Sequence, residues 1–188
     1  MSDPIRIEKV RLSFPDLFEA VQFEGKGDFS YRASFLVTPN SRADKQIRAA
    51  MDAVAKEKWG AKYKPVLDDA LRAPSKDTCY YDGSRKEYDG YEGNWALTAS
   101  RKLDKGRPGI YDKDKSPLSA EDGKPYAGCY VNAKVEFWAQ DNKYGKTIRC
   151  TLIGVQFAGD GDAFSAGSKP SEDDFDTLDE GADADDMV

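Results

Sequence analysis

The most regular feature of the chain is a strict alternation of apolar and polar residues over 129–139, followed by a second apolar-rich run over 146–157. A period of two residues places successive side chains on opposite faces of a β-strand. The DNKYG segment between the runs has turn composition, so the two runs predict an antiparallel hairpin. Its inward-facing side chains are expected to be Val131, Ala133, Val135 and Phe137.

Three widely spaced cysteines, Cys79, Cys129 and Cys150, form no CxxC pair. If the hairpin turn centres near residues 142–143, Val135 lies opposite Cys150, and Cys129 lies far from both. We therefore expect no disulfide between Cys129 and Cys150. The sequence shows no secretory signal, so the cysteines are interpreted as buried or free thiols in a reducing cytoplasm.

Alternation also marks the N-terminal part of the chain. Residues 5–14 form two alternating halves with an irregularity near Lys9, which predicts a bent or bulged first strand. Residues 29–38 alternate without interruption, and their inward set is predicted to be Phe29, Tyr31, Ala33, Phe35 and Val37. Further strands are expected at 94–102 and, in a shorter form, at 108–112.

One helix is predicted after the second strand. Ser41 and Asp44 fit a capping box, Gly60 suits the helix end, and apolar residues at helical spacing form a stripe of Ile47, Ala50, Met51 and Val54. Proline and glycine interrupt residues 61–92, where we predict a short strand near 78–82 and a long loop. A mainly β protein with one main helix results, and an OB-fold-like antiparallel barrel accounts for it well; a flat sandwich is the alternative.

The charge is unevenly distributed. Of 28 Lys/Arg and 34 Asp/Glu, residues 160–188 hold one and eleven, which leaves 27 and 23 for the remainder. A mildly basic body joined to a strongly acidic end is typical of a polyanion-binding domain that carries its own competitor. We predict a binding domain at 1–158, a flexible linker at 159–170 and a disordered acidic tail at 171–188.

The sequence gives no support for an enzyme. It has no histidine, no GxxxxGK[ST] loop, no GxSxG elbow and no HExxH motif. The absence of His/Cys clusters argues against zinc, and acidic pairs such as Asp68–Asp69 or Asp112–Asp114 are ordinarily just solvated. We expect neither catalysis nor a metal or other cofactor.

Aromatic residues beside basic ones point to a different activity. Three Trp, ten Tyr and nine Phe are present, and many of the tyrosines lie in charged, loop-like stretches. Unpaired bases stack on aromatic rings while cations follow the phosphates. The predicted stacking residues are Tyr88, Tyr91, Trp95, Tyr111 and Trp138. The predicted phosphate-binding residues are Arg85, Lys86, Arg101, Lys102, Arg107 and Lys134. For any single tyrosine, a half-buried ring with a wet hydroxyl is the structural alternative.

These stretches resemble bacteriophage single-stranded-DNA-binding proteins with an OB-fold, long filed as a domain of unknown function. The likeness lies in the order and spacing of KVRLSFPDLFEA, YRASFLV, the ASRK and RPGIYD pieces, GCYVNAKVEFWAQDNKYGKTIRCTLIGVQF and EDDF. The resemblance implies binding to single-stranded DNA with little sequence preference, and a role in phage replication, recombination or repair in the cytoplasm of the infected bacterium.

The acidic tail is also similar to the C-termini through which other single-strand binders recruit replication enzymes. Those tails typically end in an aromatic residue, whereas this one ends in Met187 and Val188, so Phe175 is the alternative docking residue. We expect the tail to compete with DNA for the body and, when displaced, to meet replication or recombination enzymes. Strand annealing, an acidic mimic that inhibits a host nucleic-acid enzyme, and assembly as a homodimer stay open.

Overall fold

The computed structural model describes residues 3–23, 25–72 and 78–164. The strands are β1 (Ile5–Phe23), β2 (Lys26–Val37), β3 (Tyr80–Asp82), β4 (Trp95–Lys102), β5 (Gly109–Tyr111), β6 (Tyr130–Asn142) and β7 (Gly145–Gly159). The helices are α1 (Arg42–Trp59) and α2 (Tyr63–Arg72). The predicted acidic tail and the second half of the predicted linker lie outside the described residues.

The strands form one sheet that closes into a barrel. Their order is β3-β4-β2-β1-β6-β7-β5, and an additional parallel pairing of β4 with β7, at Ser100 and Thr151, joins the ends of the five central strands. The other pairings within the barrel are antiparallel. This is an OB-like arrangement, so the predicted barrel is confirmed and the sandwich alternative is wrong.

The core lies inside the barrel, where the alternating sequences predicted it. Val131, Ala133, Val135 and Phe137 of β6 are all at most 1% exposed. The centre of the β6–β7 turn lies one residue further along the chain than predicted, because Asn142 pairs with Gly145. Phe137, and not Val135, therefore lies opposite Cys150. The three cysteines are free and buried.

Strand β1 is bulged, as its sequence predicts, and longer than predicted. Its pairing with β6 shifts between Ile7 and Val10, and Lys9 has a φ of 52°. The strand continues to Phe23, where it forms a hairpin with β2. Phe29 was predicted to face inward but is 48% exposed. It lies at the hairpin end of β2, where it still pairs with β1 but is beyond the last residue pair of β2 with β4, Ser30 and Lys102.

Helix α1 begins as predicted, and helix α2 was missed. The Asp44 backbone N–H donates to the Ser41 hydroxyl at 3.2 Å, and Gly60 ends α1 at a φ of 63°. Helix α2 follows almost directly and buries Leu67 and Ala70. Pro65 concealed it in the sequence, yet proline is tolerated in the first turn of a helix, where its missing N–H costs nothing.

The described residues contain neither a candidate membrane span nor a candidate metal site. None of their helices combines the length and apolar character needed to cross a membrane. Within the same ranges, no group of three or more His, Cys, Asp or Glu side chains is arranged to hold a metal ion.

Candidate nucleic-acid interface

An exposed pair of aromatic rings stands on the outer side of the barrel. The ring centroids of Phe14 and Tyr88 are 4.7 Å apart in an edge-to-face arrangement, and the two side chains are 40% and 50% exposed. Both rest on Tyr91, whose ring is 5.2 Å from Tyr88 and 6.4 Å from Phe14. Tyr91 is 1% exposed and donates its hydroxyl to Ser13 at 3.0 Å. We call Phe14 and Tyr88 the open aromatic pair.

The backbone of β1 projects Phe14 out of the barrel. The pairing of β1 with β2 is irregular between Ser13, opposite Ser34, and Asp16, opposite Arg32. Phe14 lies in this irregular stretch with a φ of 46°. A positive φ is strained for a bulky residue, and such strain concentrates at functional sites. The bulge therefore places an apolar ring in solvent two residues before Asp16, the cross-strand partner of Arg32.

The loop that carries Tyr88 and Tyr91 is fastened at both ends. The Gly83 N–H donates to the Asn94 carbonyl at 2.8 Å, and the Asn94 side chain donates to the Gly90 carbonyl at 2.7 Å. A Cβ at Gly83 would lie 2.3 Å from the Tyr91 carbonyl oxygen, so glycine is required there. The loop thus holds Tyr88 in a fixed place above the sheet.

Polar and cationic side chains continue the surface beside the open aromatic pair. On the outer side of β2 and β4, Ser34 pairs with Thr98, Arg32 with Ser100 and Ser30 with Lys102. Arg32 faces Asp16, whose pKa is raised by burial, an effect that the Arg32 charge opposes. Lys102 lies 3.6 Å from Asp28. We call this outer side of β2 and β4, together with Phe14 and Asp16 of the adjoining β1, the front face.

The hairpin of β6 and β7 carries a second exposed ring. Tyr144, at the tip, is 83% exposed, and the Lys143 Nζ lies 5.0 Å from its ring centroid. In OB-folds, oligonucleotides bind at the face of the second and third barrel strands, flanked by two such hairpin loops. Here those strands are β2 and β4, so the front face and the β6–β7 tip have the expected locations.

Comparison with known proteins identifies the family of the chain. A family model described as "Enterobacter phage Enc34, ssDNA-binding protein" matches residues 3–188. The chain belongs to the Enc34 single-stranded-DNA-binding protein family. "Putative protein p50" of Acyrthosiphon pisum secondary endosymbiont phage 1 is 48% identical over 177 residues, covering 93% of each chain.

Two solved structures share the fold of this Enc34-family protein. The single-stranded DNA-binding protein from bacteriophage Enc34 in complex with ssDNA aligns with a TM-score of 0.69 and 24% identity, over 85% of this chain and 88% of that one. The single-stranded DNA binding protein gp2.5 encoded by bacteriophage T7 aligns with a TM-score of 0.54 and 12% identity, over 96% and 97%. At these identities the likeness shows the fold.

Two of the predicted stacking residues of this Enc34-family protein pack against other side chains of the protein, which limits access to their rings. Tyr91 supports the open aromatic pair but is buried, so it offers no ring face to a base and its predicted role is corrected. Trp95 is half-buried against Tyr80, with ring centroids 5.2 Å apart, and the Arg48 guanidinium lies 4.4 Å from its ring. We call Tyr80 and Trp95 the sealed aromatic pair.

A buried carboxylate holds the sealed aromatic pair in place. Asp44, 4% exposed, accepts hydrogen bonds from the Tyr80 hydroxyl at 2.6 Å and from Arg48 Nε at 2.8 Å. Burial pushes the pKa of Asp44 upward, but hydrogen bonds from Tyr80, the Asn40 N–H and Arg48 outweigh it and lower the pKa. Trp95 is therefore part of a structural network, which argues against its predicted role in stacking.

Two of the predicted phosphate-binding arginines are used in this Enc34-family protein to hold backbone carbonyls. Arg85 donates to the carbonyls of Leu71 and Arg72, the latter at 2.6 Å, at the end of α2. Arg101 donates to the carbonyls of Lys105 and Gly106 at 2.8 and 2.9 Å, where the chain turns after β4. These bonds stabilise loops and leave the two guanidinium groups less available to phosphates.

The remaining predicted residues are spread over the surface. Lys86 and Lys102 are exposed near or on the front face, whereas Tyr111 is 43% exposed on the edge strand β5. Three more lie elsewhere in this family member, half-buried or exposed: Trp138 on β6, Arg107 with its guanidinium 5.6 Å from the Phe18 ring, and Lys134 paired across from Arg6. Their DNA contacts stay predictions.

Sequence reasoning missed Phe14, Arg32 and Tyr144. Phe14 looked like core because it ends an alternating run, and only the bulge turns it outward. Arg32 was placed on the polar face of β2, which does face solvent, but was not selected. Tyr144 lies in the DNKYG turn, and a large aromatic beside lysine in a hairpin turn was a usable signal.

The chain beyond β7 crosses the outer side of β1. Arg11 donates to the carbonyls of Gly128 and Asp162 at 3.0 and 2.7 Å, and its guanidinium lies 4.2 Å from the Phe164 ring. The Phe164 ring packs with the small cluster that contains Leu36 and Tyr91. Residues 160–164, which we call the strap, thus run along the body towards the open aromatic pair; the predicted boundary at 158 stays a prediction.

Proposed function

We propose that the protein binds single-stranded DNA on its front face with little sequence preference. The observation that carries the proposal is the open aromatic pair, held by a fastened loop and a strained bulge beside Arg32 and Lys102, in a member of a single-stranded-DNA-binding family. Every base has a π-face, so stacking on rings tolerates any sequence.

Stacking supplies the contact with bases. Phe14 and Tyr88 are both partly exposed and support each other edge to face, so a base can lie against either ring without rearranging the barrel. Each stacked base contributes about 1–3 kcal/mol. Tyr144 offers one more ring at the tip of the β6–β7 hairpin, where the strand leaves or enters the front face.

Cations supply the contact with the phosphates. Arg32 and Lys102 lie on the front face itself, Lys86 lies in the loop of Tyr88, and Lys143 lies beside Tyr144. Each phosphate contact releases counterions, so affinity falls with salt. The four cations line the same path as the exposed rings, which is the combination that unpaired nucleic acid requires.

The acidic tail is proposed to regulate this site. The strap brings the chain to Phe164, beside Leu36 and Tyr91, so residues 171–188 are tethered close to the front face. A tether of this length gives an effective concentration of roughly millimolar. We propose that the tail competes with DNA and, when displaced, recruits replication or recombination enzymes.

Within a phage, such a protein protects single strands during DNA replication, recombination and repair. The proposed place of action is the cytoplasm of the infected bacterium, and the proposed activity is binding without catalysis. Deleting residues 171–188 should tighten DNA binding, most of all at low salt, because charge competition is then least screened. Equal affinity of the deleted and full-length chains at low salt would contradict the competition.

The proposal is tested by fluorescence anisotropy with a labelled oligonucleotide of mixed sequence. Phe14→Ala with Tyr88→Ala should weaken binding by about 30-fold or more, because two stacking surfaces of about 1 kcal/mol or more each are lost. Tyr130→Ala is the comparison variant, since Tyr130 is a similarly exposed ring (40%) on β6, beside Arg11 of β1 and outside the open aromatic pair. Equal binding by the double variant and the comparison variant would show that DNA lies elsewhere.

A further inference from the structure

A basic cleft lies between the start of β1, the start of α1 and the middle of β6. It encloses about 520 Å³ and is lined by Pro4, Ile5, Arg6, Glu8, Arg42, Ala43, Gln46 and Lys134. Arg6 and Lys134 are cross-strand neighbours on the outer side of β1 and β6, and Arg42 is the first residue of α1. The front face, on β2 and β4, uses none of these side chains.

The charges in the basic cleft are only partly neutralised. Arg6 makes an ion pair with Glu8 at 3.0 Å. Arg42 and Lys134 have no ion pair with any residue in the described ranges. The lining therefore carries three cations and one anion around a concave surface whose floor includes the apolar side chains of Ile5 and Ala43. Such a surface suits an anionic chain that also carries an occasional apolar residue.

The lining does not suit unpaired DNA. No aromatic side chain is among its residues, so bases would find no ring to stack on. A peptide of carboxylates needs cations and hydrogen-bond donors, which Arg6, Arg42, Lys134 and the Gln46 amide supply. The chemistry of the cleft therefore favours an acidic peptide over a nucleic acid.

The chain itself contains such a peptide within reach. Residues 171–188 hold nine Asp/Glu and no Lys/Arg, with Phe175 and Leu178 among them. The described chain ends at Phe164, whose ring lies against Arg11 on the outer side of β1. Arg6 is five residues from Arg11 along the same strand, which is about 16 Å at strand spacing. The eight residues from Phe164 to Glu172 span about 26 Å when extended, which is enough.

We propose that the basic cleft is the docking site of the acidic segment 172–186 of the same chain. The carboxylates pair with Arg6, Arg42 and Lys134, and an apolar residue of the segment covers Ile5 and Ala43. Docking in the same chain is favoured because the tether keeps the segment at roughly millimolar effective concentration. Lys134, predicted to bind phosphate, is reassigned to this site.

Docking in the basic cleft extends the proposed regulation. It rests on the proposed function only in one respect, namely that the acidic tail binds to the folded part of the chain. The tail exchanges between the front face, where it competes with DNA, and the basic cleft, which it occupies whether or not DNA covers the front face. Because the tail can be located without adding DNA, a failure of this inference is distinguishable from a failure of the proposed function.

Paramagnetic relaxation in the full-length chain tests the docking directly. Thr177→Cys introduces an accessible thiol into the tail, whereas the native cysteines are at most 5% exposed and escape labelling. With a nitroxide on this thiol, the amide signals of Arg6, Ala43, Gln46 and Lys134 should broaden at about 0.01 M salt. The broadening should vanish near 1 M salt, where the screening length falls to about 3 Å.

Two variants of the labelled chain complete the test. Arg42→Gln with Lys134→Gln should remove most of the broadening in the cleft, because two of its three cations are gone. Lys45→Gln with Lys56→Gln removes two exposed cations from α1 outside the cleft and should leave the broadening unchanged. Matching amide spectra elsewhere in the body show that both variants fold.

Several results would overturn the inference. Broadening confined to the front face, around Tyr88 and Lys102, would place the tail there alone. Absence of broadening anywhere would show that the tail does not dock. Broadening that survives the double variant would assign it to other residues. Perturbation of the cleft amides by an oligonucleotide, without broadening by the tail, would make the cleft part of the DNA path.

Discussion

Two aromatic pairs lie on opposite sides of the β3–β4 sheet, each near an arginine, and only one is accessible to a ligand. The sealed aromatic pair packs into the main core, where Arg48 covers Trp95 and Asp44 holds both Arg48 and Tyr80. The open aromatic pair stands on a fastened loop and a bulge, with its rings half in solvent. The same sequence pattern, aromatic residues near cations, therefore occurs in two different environments: a buried network and an exposed surface.

The deciding difference is the partner of the arginine. Asp44 lies at the start of α1, where its side chain accepts a hydrogen bond from the Asn40 N–H at 2.8 Å. The same carboxylate accepts hydrogen bonds from Arg48 and Tyr80 and so fixes the positions of both side chains. At the front face, Asp16 faces Arg32 and is only partly buried; burial raises its pKa, and the Arg32 charge opposes that rise. At the front face, a phosphate therefore competes with a partly buried carboxylate for Arg32, whereas at Arg48 it competes with the buried Asp44 carboxylate.

The largest expected effect comes from breaking the sealed aromatic pair. Asp44→Ala leaves the buried Tyr80 hydroxyl and Arg48 without their acceptor and removes a helix-start contact, so it should lower the free energy of unfolding by about 3 kcal/mol. Urea unfolding followed by circular dichroism measures it. DNA affinity of the folded variant should stay within about twofold of the parent; a tenfold loss would place the sealed pair in the DNA site.

The titration of Asp44 sharpens the same point. Its folded pKa lies below the ordinary value of 3.8, so the stabilisation is complete above that value and is lost as pH falls through the folded pKa. The stability difference between the parent and Asp44→Asn should therefore be constant from neutral pH down to about pH 5 and shrink at lower pH. A difference that grows on acidification would contradict the assigned hydrogen bonds.

The open aromatic pair should show the reverse behaviour. Tyr88→Ala should weaken binding of single-stranded DNA by about 2 kcal/mol, within the range for one stacked base, with an unchanged salt slope because no cation is lost. The free energy of unfolding should change little, since the ring is half in solvent. Anisotropy titrations at several salt concentrations check the affinity, and a change mainly in the salt slope would refute stacking.

Phe14 allows strain and binding to be separated. Phe14→Ala and Phe14→Gly both remove the ring and should weaken DNA binding equally. Only glycine adopts a φ of 46° without cost, so the glycine variant should be more stable than the alanine variant by about 1 kcal/mol. Equal stabilities of the two variants would show that the bulge is relaxed rather than strained.

The smallest expected effect concerns a single cation. Lys102→Gln should reduce the salt slope of DNA binding by about 0.7, the value for one phosphate contact on a single strand. Lys45→Gln, on the exposed side of α1, is the control and should leave the slope unchanged. If both variants change the slope alike, the effect comes from net charge and not from the front face.

Much of the fold could be predicted because alternation is a direct consequence of burial. The inward residues of β6 and of β2 from Tyr31 onward were recognised, as were the bulge near Lys9 and the start of α1 at Ser41. Helix α2 was missed because Pro65 and the short length hide its period. The hairpin register was misjudged because a turn of five polar residues allows more than one centre.

The site was harder to predict, because it depends on which face a loop or bulge presents. Tyr88 was selected correctly as an exposed ring, but its neighbour Tyr91, in the same charged stretch, is buried beneath it. Arg85 and Arg101 were selected for their charge, yet both bond to backbone carbonyls that only the folded chain brings near. Phe14 could be found only from the backbone, since its sequence pattern is that of core.

Photocrosslinking is the most direct test of the claim that bases stack on the open aromatic pair. An oligonucleotide containing 5-iodouracil is bound to the full-length protein, irradiated and digested, and the crosslinked residues are identified by mass spectrometry. The account predicts crosslinks at Phe14 and Tyr88. Crosslinks restricted to Tyr130, Tyr111 or the sealed aromatic pair, with Phe14 and Tyr88 unmodified, would contradict it.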